Sequence, residues 1–166
     1  VERLIPGAVL VWLVMCAVGY LLTHPLADAG FTRWEVGLDR WFSQHRSAGW
    51  NTITNIASLA GDTPAAIGIS VVAFIVLRLV VGRWREPLVL AVSMIGEVGI
   101  FASTTIVVGR SRPTVAHLDG SPPTSSFPSG HTAASTTLYG VLAVIVFAHT
   151  SRAGLRALAV ILATVI

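Results

Sequence analysis

The chain contains no lysine, and its 11 basic residues are all arginine. Charged residues of either sign make up 11% of the 166, against about 25% in an ordinary soluble domain. That shortage excludes a conventional water-soluble globular protein. The arginines form no stripe with interleaved aromatics, which excludes nucleic acid as a partner. The single cysteine, Cys16, excludes an intrachain disulfide and lies inside an apolar run, where it reads as a packed thiol. No tandem repeat, low-complexity tract or long linker breaks the chain, so residues 1–166 read as one domain. What replaces charge is apolar: 54% of the residues are hydrophobic and the mean hydropathy is +0.76. These are the proportions of an integral membrane protein.

Residues 5–22 are the first uncharged run. At about 1.5 Å of helix per residue, the run is long enough to cross a hydrocarbon core. The small-x-small sequence Ala27-Asp28-Ala29 has the look of a signal-peptide cleavage site, but the run exceeds the usual apolar region of about 7–15 residues, which favours a true first span. A second run covers residues 63–81, interrupted only by Arg78, which can snorkel to the interface. A third covers 88–108 and holds the lone acid Glu97, a structural partner for a Ser, Thr or Arg of a neighbouring helix. A fourth covers 132–148. A fifth begins at 154 and reaches 166, shorter than the about 20 residues that a span needs. Small residues recur in the middle spans, as in Gly99-x-x-x-Ser103, and let membrane helices approach closely. The expected fold is all-α, a polytopic transmembrane helix bundle whose sequence stops within its last run.

Between the first two spans, Trp34, Leu38, Trp41, Phe42 and His45 fall on one side of a helical repeat, with Arg33, Glu35, Asp39, Arg40 and Arg46 elsewhere. That pattern predicts an interfacial helix lying flat at the membrane surface, an aromatic anchor with no ligand role. Arg83 and Arg85 after the second span, with Arg152 and Arg156 after the fourth, mark those ends as cytoplasmic. The amino terminus with Arg3 then also faces inward, and Arg110, Arg112 and the loop beyond them face outward.

Two short segments carry the chemistry. Arg110-Ser111-Arg112-Pro113 ends the third span, and Ser126-Phe127-Pro128-Ser129-Gly130-His131 opens the fourth. Ser129 is a good N-cap residue, and Gly130 lets a ligand approach the backbone. The helix beyond points its first N–H groups back at an anion. No acid occupies that opening turn to compete for the positive helix end. Arginine forks suit the equatorial oxygens of a transferring phosphoryl group, which makes Arg110 and Arg112 candidate phosphate ligands. An imidazole titrates near about 6.5 when unperturbed, so His131 is placed to protonate a leaving oxygen. His24, His45 and His149 lie near expected interfaces, and His117 and Asp119 lie in the polar loop, where Asp119 reads as a solvated turn residue. No histidine pair has metal-ligand spacing, so neither a metal nor another cofactor is expected.

Gly109-Arg110-Ser111-Arg112-Pro113 followed by Ser126-Phe127-Pro128-Ser129-Gly130-His131 resembles the first two motifs of the type 2 phosphatidic acid phosphatase superfamily, which shares its site with vanadium haloperoxidases. Membrane members are six-helix bundles that remove phosphate from lipid phosphates or diphosphates without a metal. The resemblance implies that Arg112 holds the phosphate with Arg110 assisting. It implies further that Ser129 and the Gly130 N–H line the same cradle and that His131 acts on the leaving group.

The chain departs from the family twice. The lysine normally found seven residues before the arginine of the Arg-Pro pair is Thr105 here, with Arg110 the nearest substitute. The third motif, Ser-Arg followed by a histidine and an aspartate, is absent, since no histidine follows Ser151-Arg152. In the family that histidine is the nucleophile and becomes a phosphohistidine, with the aspartate orienting it. The sequence therefore reads as C-terminally truncated and inactive unaided, its nucleophile lying beyond Ile166.

Two functional readings follow: a membrane lipid-phosphate phosphohydrolase, or a non-catalytic membrane protein that binds a phosphorylated head group or a partner. A transporter finds little support, because paired intramembrane charges and interrupted helices matched across two halves are missing. The expected setting is the plasma membrane, multi-pass, with the site facing outside. The expected partners are the bilayer and a phosphorylated lipid: an isoprenoid carrier, phosphatidic acid or a phosphatidylglycerol precursor. The oligomeric state is open.

Overall fold

The computed structural model describes residues 4–27, 30–59, 62–112 and 125–165. Pro113, His117 and Asp119, which carry three of the sequence readings, lie outside them. The described residues are helical and contain no strand. In chain order the elements are α1 Leu4–Thr23, α2 Gly30–Gln44, α3 Ala48–Leu59, α4 Thr63–Val81, α5 Arg85–Val108, α6 Gly130–His149 and α7 Ala153–Val165.

Four of these, in α1, α4, α5 and α6, are long and apolar enough to cross a membrane, whereas α7 is a shorter apolar helix. Their large side chains point outward: Ile106 is 82% exposed, Val80 79% and Ile95 73%. A water-soluble protein rarely exposes contiguous apolar surface on this scale, but a lipid-facing helix must.

Local chemistry fixes the helix ends. Asp62 is the N-cap of α4, in extended conformation, and its carboxylate accepts the Thr63 N–H at 2.8 Å. Pro64 in the same first turn is tolerated because no intrahelical donor is needed there. Helix α4 closes on Gly82 with Arg78 in its last turn, and the Arg78 guanidinium lies 4.7 Å from the centroid of the Trp84 ring. Helix α5 starts with an acid, Glu86, in its first turn and so complements the positive end of its own dipole. At the far end of α6, Arg156 of α7 donates to the carbonyls of Thr150 at 2.8 Å and Phe147 at 3.1 Å. Those carbonyls would otherwise be left unpaired by the end of the helix.

Two compact units divide the chain: Val1–Thr52 with Ile100–Ser129, and Ile53–Gly99 with Gly130–Ile166. Within the second, α6 packs against both α4 and α7. Its core holds Ala66, Leu90, Leu138 and Ile145, with Ser135. Glu86, only 7% exposed, meets Nε2 of His149 at 3.2 Å and so ties the start of α5 to the end of α6. Within the first unit, Thr104 and Val108 are buried near the end of α5.

The aromatic helix appears as α2, with Trp34, Trp41 and Phe42 exposed and His45 stacked on Trp41. Helix α3 was not expected. Its sequence is rich in Asn and Thr, weak helix formers, yet Trp50, Ile53, Ile56 and Leu59 line one apolar side at helical spacing. Glu97 lies half-buried along α5, and its carboxylate makes no hydrogen bond or ion pair among the described residues.

The Asp62 cap yields a clean test. Asp62→Ala is expected to lower the stability of the detergent-solubilised protein by about 1 kcal/mol, whereas Asp62→Asn, which keeps an acceptor at the cap, stays within about 0.5 kcal/mol of wild type in thermal unfolding.

Candidate phosphate-binding site

Helix α5 ends at Val108, and Gly109 follows with φ +58°, a left-handed conformation that a side chain would strain. The Gly109 N–H donates to the Thr105 carbonyl at 3.1 Å, closing the last turn. The chain leaves the helix there and delivers Arg110, Ser111 and Arg112.

The second motif is bound to this exit by its backbone. The Arg110 N–H donates to the Ser125 hydroxyl at 3.0 Å, and the Ser126 N–H donates to the Arg110 carbonyl at 2.9 Å. The Ser126 hydroxyl donates to the Ser111 carbonyl at 2.8 Å. Ser125 in turn donates to the Phe127 carbonyl at 2.8 Å and accepts the Phe127 N–H at 3.2 Å. Both peptide groups of Arg110 are therefore satisfied by residues about fifteen positions later. The Phe127–Pro128 peptide is cis, and Pro128 is buried.

Helix α1 supports the same place. A Cβ added at Gly19 would come within 2.5 Å of Val108 and 2.9 Å of Phe127. Only glycine lets α1 lie against the end of α5 and the second motif together.

Side chains complete the picture. Arg110 points at Glu35 of α2: Nη2 donates to Oε2 at 2.8 Å and Nη1 to Oε1 at 3.4 Å, a two-pronged ion pair. Arg112 and Ser129 are exposed. Gly130 is the first residue of α6, so Ser129 stands directly before the helix, and no acid lies in the opening turn. His131, also exposed, occupies that turn in the second unit, with its Nε2 3.9 Å from Oδ1 of Asp62. Thr105, where the resemblance expects lysine, has a hydroxyl without a hydrogen-bond partner.

The structure thus gathers Arg110, Ser111 and the start of the second motif in the first unit, and pairs His131 with Asp62 in the second. Of the other histidines, His24 stacks on Tyr20 with 4.3 Å between ring centroids, and His149 pairs with Glu86. Sequence reasoning missed three contributors: Gly19, Glu35 and Asp62. For Asp62 a signal existed, since Asp-Thr-Pro before an apolar run marks a helix start. Glu35 is separated from Arg110 by 75 residues, and no local pattern announces such a pair.

The family model of the PAP2 superfamily matches residues 86–166, a stretch that holds both motifs and helices α5, α6 and α7. That match supports the resemblance carried by the two motifs. No curated protein and no solved structure matches the chain significantly. The match supports a phosphatase-type function, that of a phosphoric ester hydrolase. With its four long apolar helices the chain is an integral membrane protein. Gly19, Glu35 and Asp62 all precede the PAP2 match.

Steric support from α1 is directly testable. Gly19→Val should force Val108 and Phe127 apart, at about 1–3 kcal/mol, and lower the thermal midpoint in detergent. Gly140→Ala, at a helical site with nothing within 4 Å of the added Cβ, should not lower it.

Proposed function

We propose that this protein is a membrane phosphohydrolase that removes phosphate from a lipid phosphate or lipid diphosphate, without a metal and through a phosphohistidine intermediate. The observation that carries the reading is the hydrogen-bonded junction of the two motifs, Arg110 and Ser111 against Ser125 and Ser126. A phosphate site needs fixed donors more than it needs reactive groups, and a junction in which serine hydroxyls and one backbone N–H bond the backbone of the first motif supplies fixity.

Arg112 holds the phosphate with two parallel N–H donors, and Arg110 assists. The Ser129 hydroxyl and the Gly130 N–H, at the positive start of α6, take the remaining oxygens. A histidine nucleophile attacks phosphorus. As the N–P bond forms, the bond from phosphorus to the lipid oxygen breaks, and His131 gives that oxygen its proton. Water then attacks the phosphohistidine, freeing inorganic phosphate and returning the nucleophile.

The arginine pairs at 83 and 85 and at 152 and 156 support a cytoplasmic position for the ends they flank. The site then faces the outer surface of the plasma membrane, where a lipid presents its head group while its tails stay in the bilayer. An isoprenoid diphosphate, phosphatidic acid and a phosphatidylglycerol precursor all satisfy that chemistry.

The test is kinetic, on the protein in detergent with short-chain phosphatidic acid and farnesyl diphosphate. His131→Ala should lower kcat by about 10²–10⁴-fold with little change in phosphate affinity. Arg112→Ala should weaken affinity and rate together. Equal losses of affinity in both variants would contradict the assigned roles.

A further inference from the structure

His131 and Asp62 meet where α6 and α4 begin. The two helices pack against each other within the second unit, and this contact sets their starts side by side. Nε2 of His131 is 3.9 Å from Oδ1 of Asp62, an ion-pair distance that is too long for a direct hydrogen bond. Asp62 is held in place independently of the histidine. Its backbone is extended at the N-cap of α4, the Thr63 N–H donates to the same Oδ1 at 2.8 Å, and Pro64 stiffens the turn that follows. A fixed carboxylate thus faces one nitrogen of an imidazole that stands in the first turn of α6.

Both side chains are about half exposed, His131 at 55% and Asp62 at 45%. A pair so exposed adds little to stability. The cap itself asks for an acceptor and not for a charge, so the charge can be removed while the helix start is kept. The reading above gives His131 the task of protonating the leaving oxygen, and a proton donor has to be aimed. Taking that reading as its premise, we propose that Asp62 is a positioning residue for the hydrolysis: its carboxylate holds the Nε2 side of the His131 ring and so turns Nδ1 toward the lipid oxygen. As the phosphorus–oxygen bond breaks, its electron pair stays on the lipid oxygen, which takes the Nδ1 proton. The neutral imidazole that remains keeps its Nε2–H facing Asp62. When water attacks the phosphohistidine, Nδ1 takes a proton from that water and the donor is restored. Asp62 exchanges no proton and touches no phosphate. It lies outside residues 86–166, so the positioning carboxylate comes from the part of the chain that precedes the PAP2 match.

The experiment compares wild type, Asp62→Asn, Asp62→Ser, His131→Ala and the double variant Asp62→Asn with His131→Ala, as protein in detergent. KM and kcat are read with short-chain phosphatidic acid and with 4-nitrophenyl phosphate, and thermal midpoints are recorded alongside. The glycerol oxygen of phosphatidic acid is a poor leaving group until it is protonated, whereas nitrophenolate leaves as the anion and draws little on an acid. Asp62→Asn and Asp62→Ser both keep a capping acceptor, so both should keep the thermal midpoint and KM. Each should lower kcat on phosphatidic acid about fivefold, the most that an exposed charge pair supplies. On 4-nitrophenyl phosphate the change should stay within about twofold. With His131 already replaced by alanine, Asp62→Asn should cost nothing further, because its effect passes through the ring.

Three results overturn the inference alone, each with an active wild type: an Asp62→Asn variant with unchanged kcat on phosphatidic acid, equal losses on both esters, or the same loss when His131 is absent. Equal losses on both esters in His131→Ala overturn its assignment as the acid, and this inference with it. A folded wild type that releases phosphate from neither ester nor from farnesyl diphosphate overturns the phosphatase reading as a whole.

Discussion

Everything in the candidate site depends on one junction: the peptide groups of Arg110 and Ser111 are hydrogen-bonded to Ser125 and Ser126. Two chain segments that leave the helical region would otherwise wander, since each lacks the internal ladder of a helix. Here each satisfies the other's donors and acceptors, as backbone near an apolar boundary must. The junction converts two loops into one fixed edge. From that edge the chain proceeds to Arg112 in one direction and to Ser129 in the other.

Around this edge, each supporting contact is made by a particular residue suited to it. Glycine at 19 lets α1 touch Val108 and Phe127. Arginine at 110 offers a planar fork to Glu35, which an ammonium group could not reproduce. The second unit shows the same economy at its ends, where Asp62 caps α4 and Arg156 covers the carbonyls that end α6. The apolar faces between these ends are left to the lipid.

The membrane helices were legible in the sequence because length and hydropathy alone decide them. The run at 63–81 is α4 to the residue, and α1, α5 and α6 differ from their runs by a few residues at the ends. Those small errors have causes: Arg85-Glu86-Pro87 is polar but forms a good first helical turn. Helix α3 was not legible, since Asn and Thr hide its apolar side. The two motifs were legible as residue types in order, and so was the likeness to the PAP2 superfamily that the match over residues 86–166 supports. The partners of those motifs were not. Glu35 and Asp62 reach Arg110 and His131 only through tertiary folding, and one sequence holds no record of which acid meets which base.

Because the account turns on the junction, the most direct measurement is amide hydrogen exchange of the detergent-solubilised protein, resolved at Arg110 and Ser126. Both N–H groups donate within the junction, so both should exchange far more slowly than an unstructured loop, with protection comparable to the last turn of α5. Exchange of either amide at the rate of a free peptide would contradict the account.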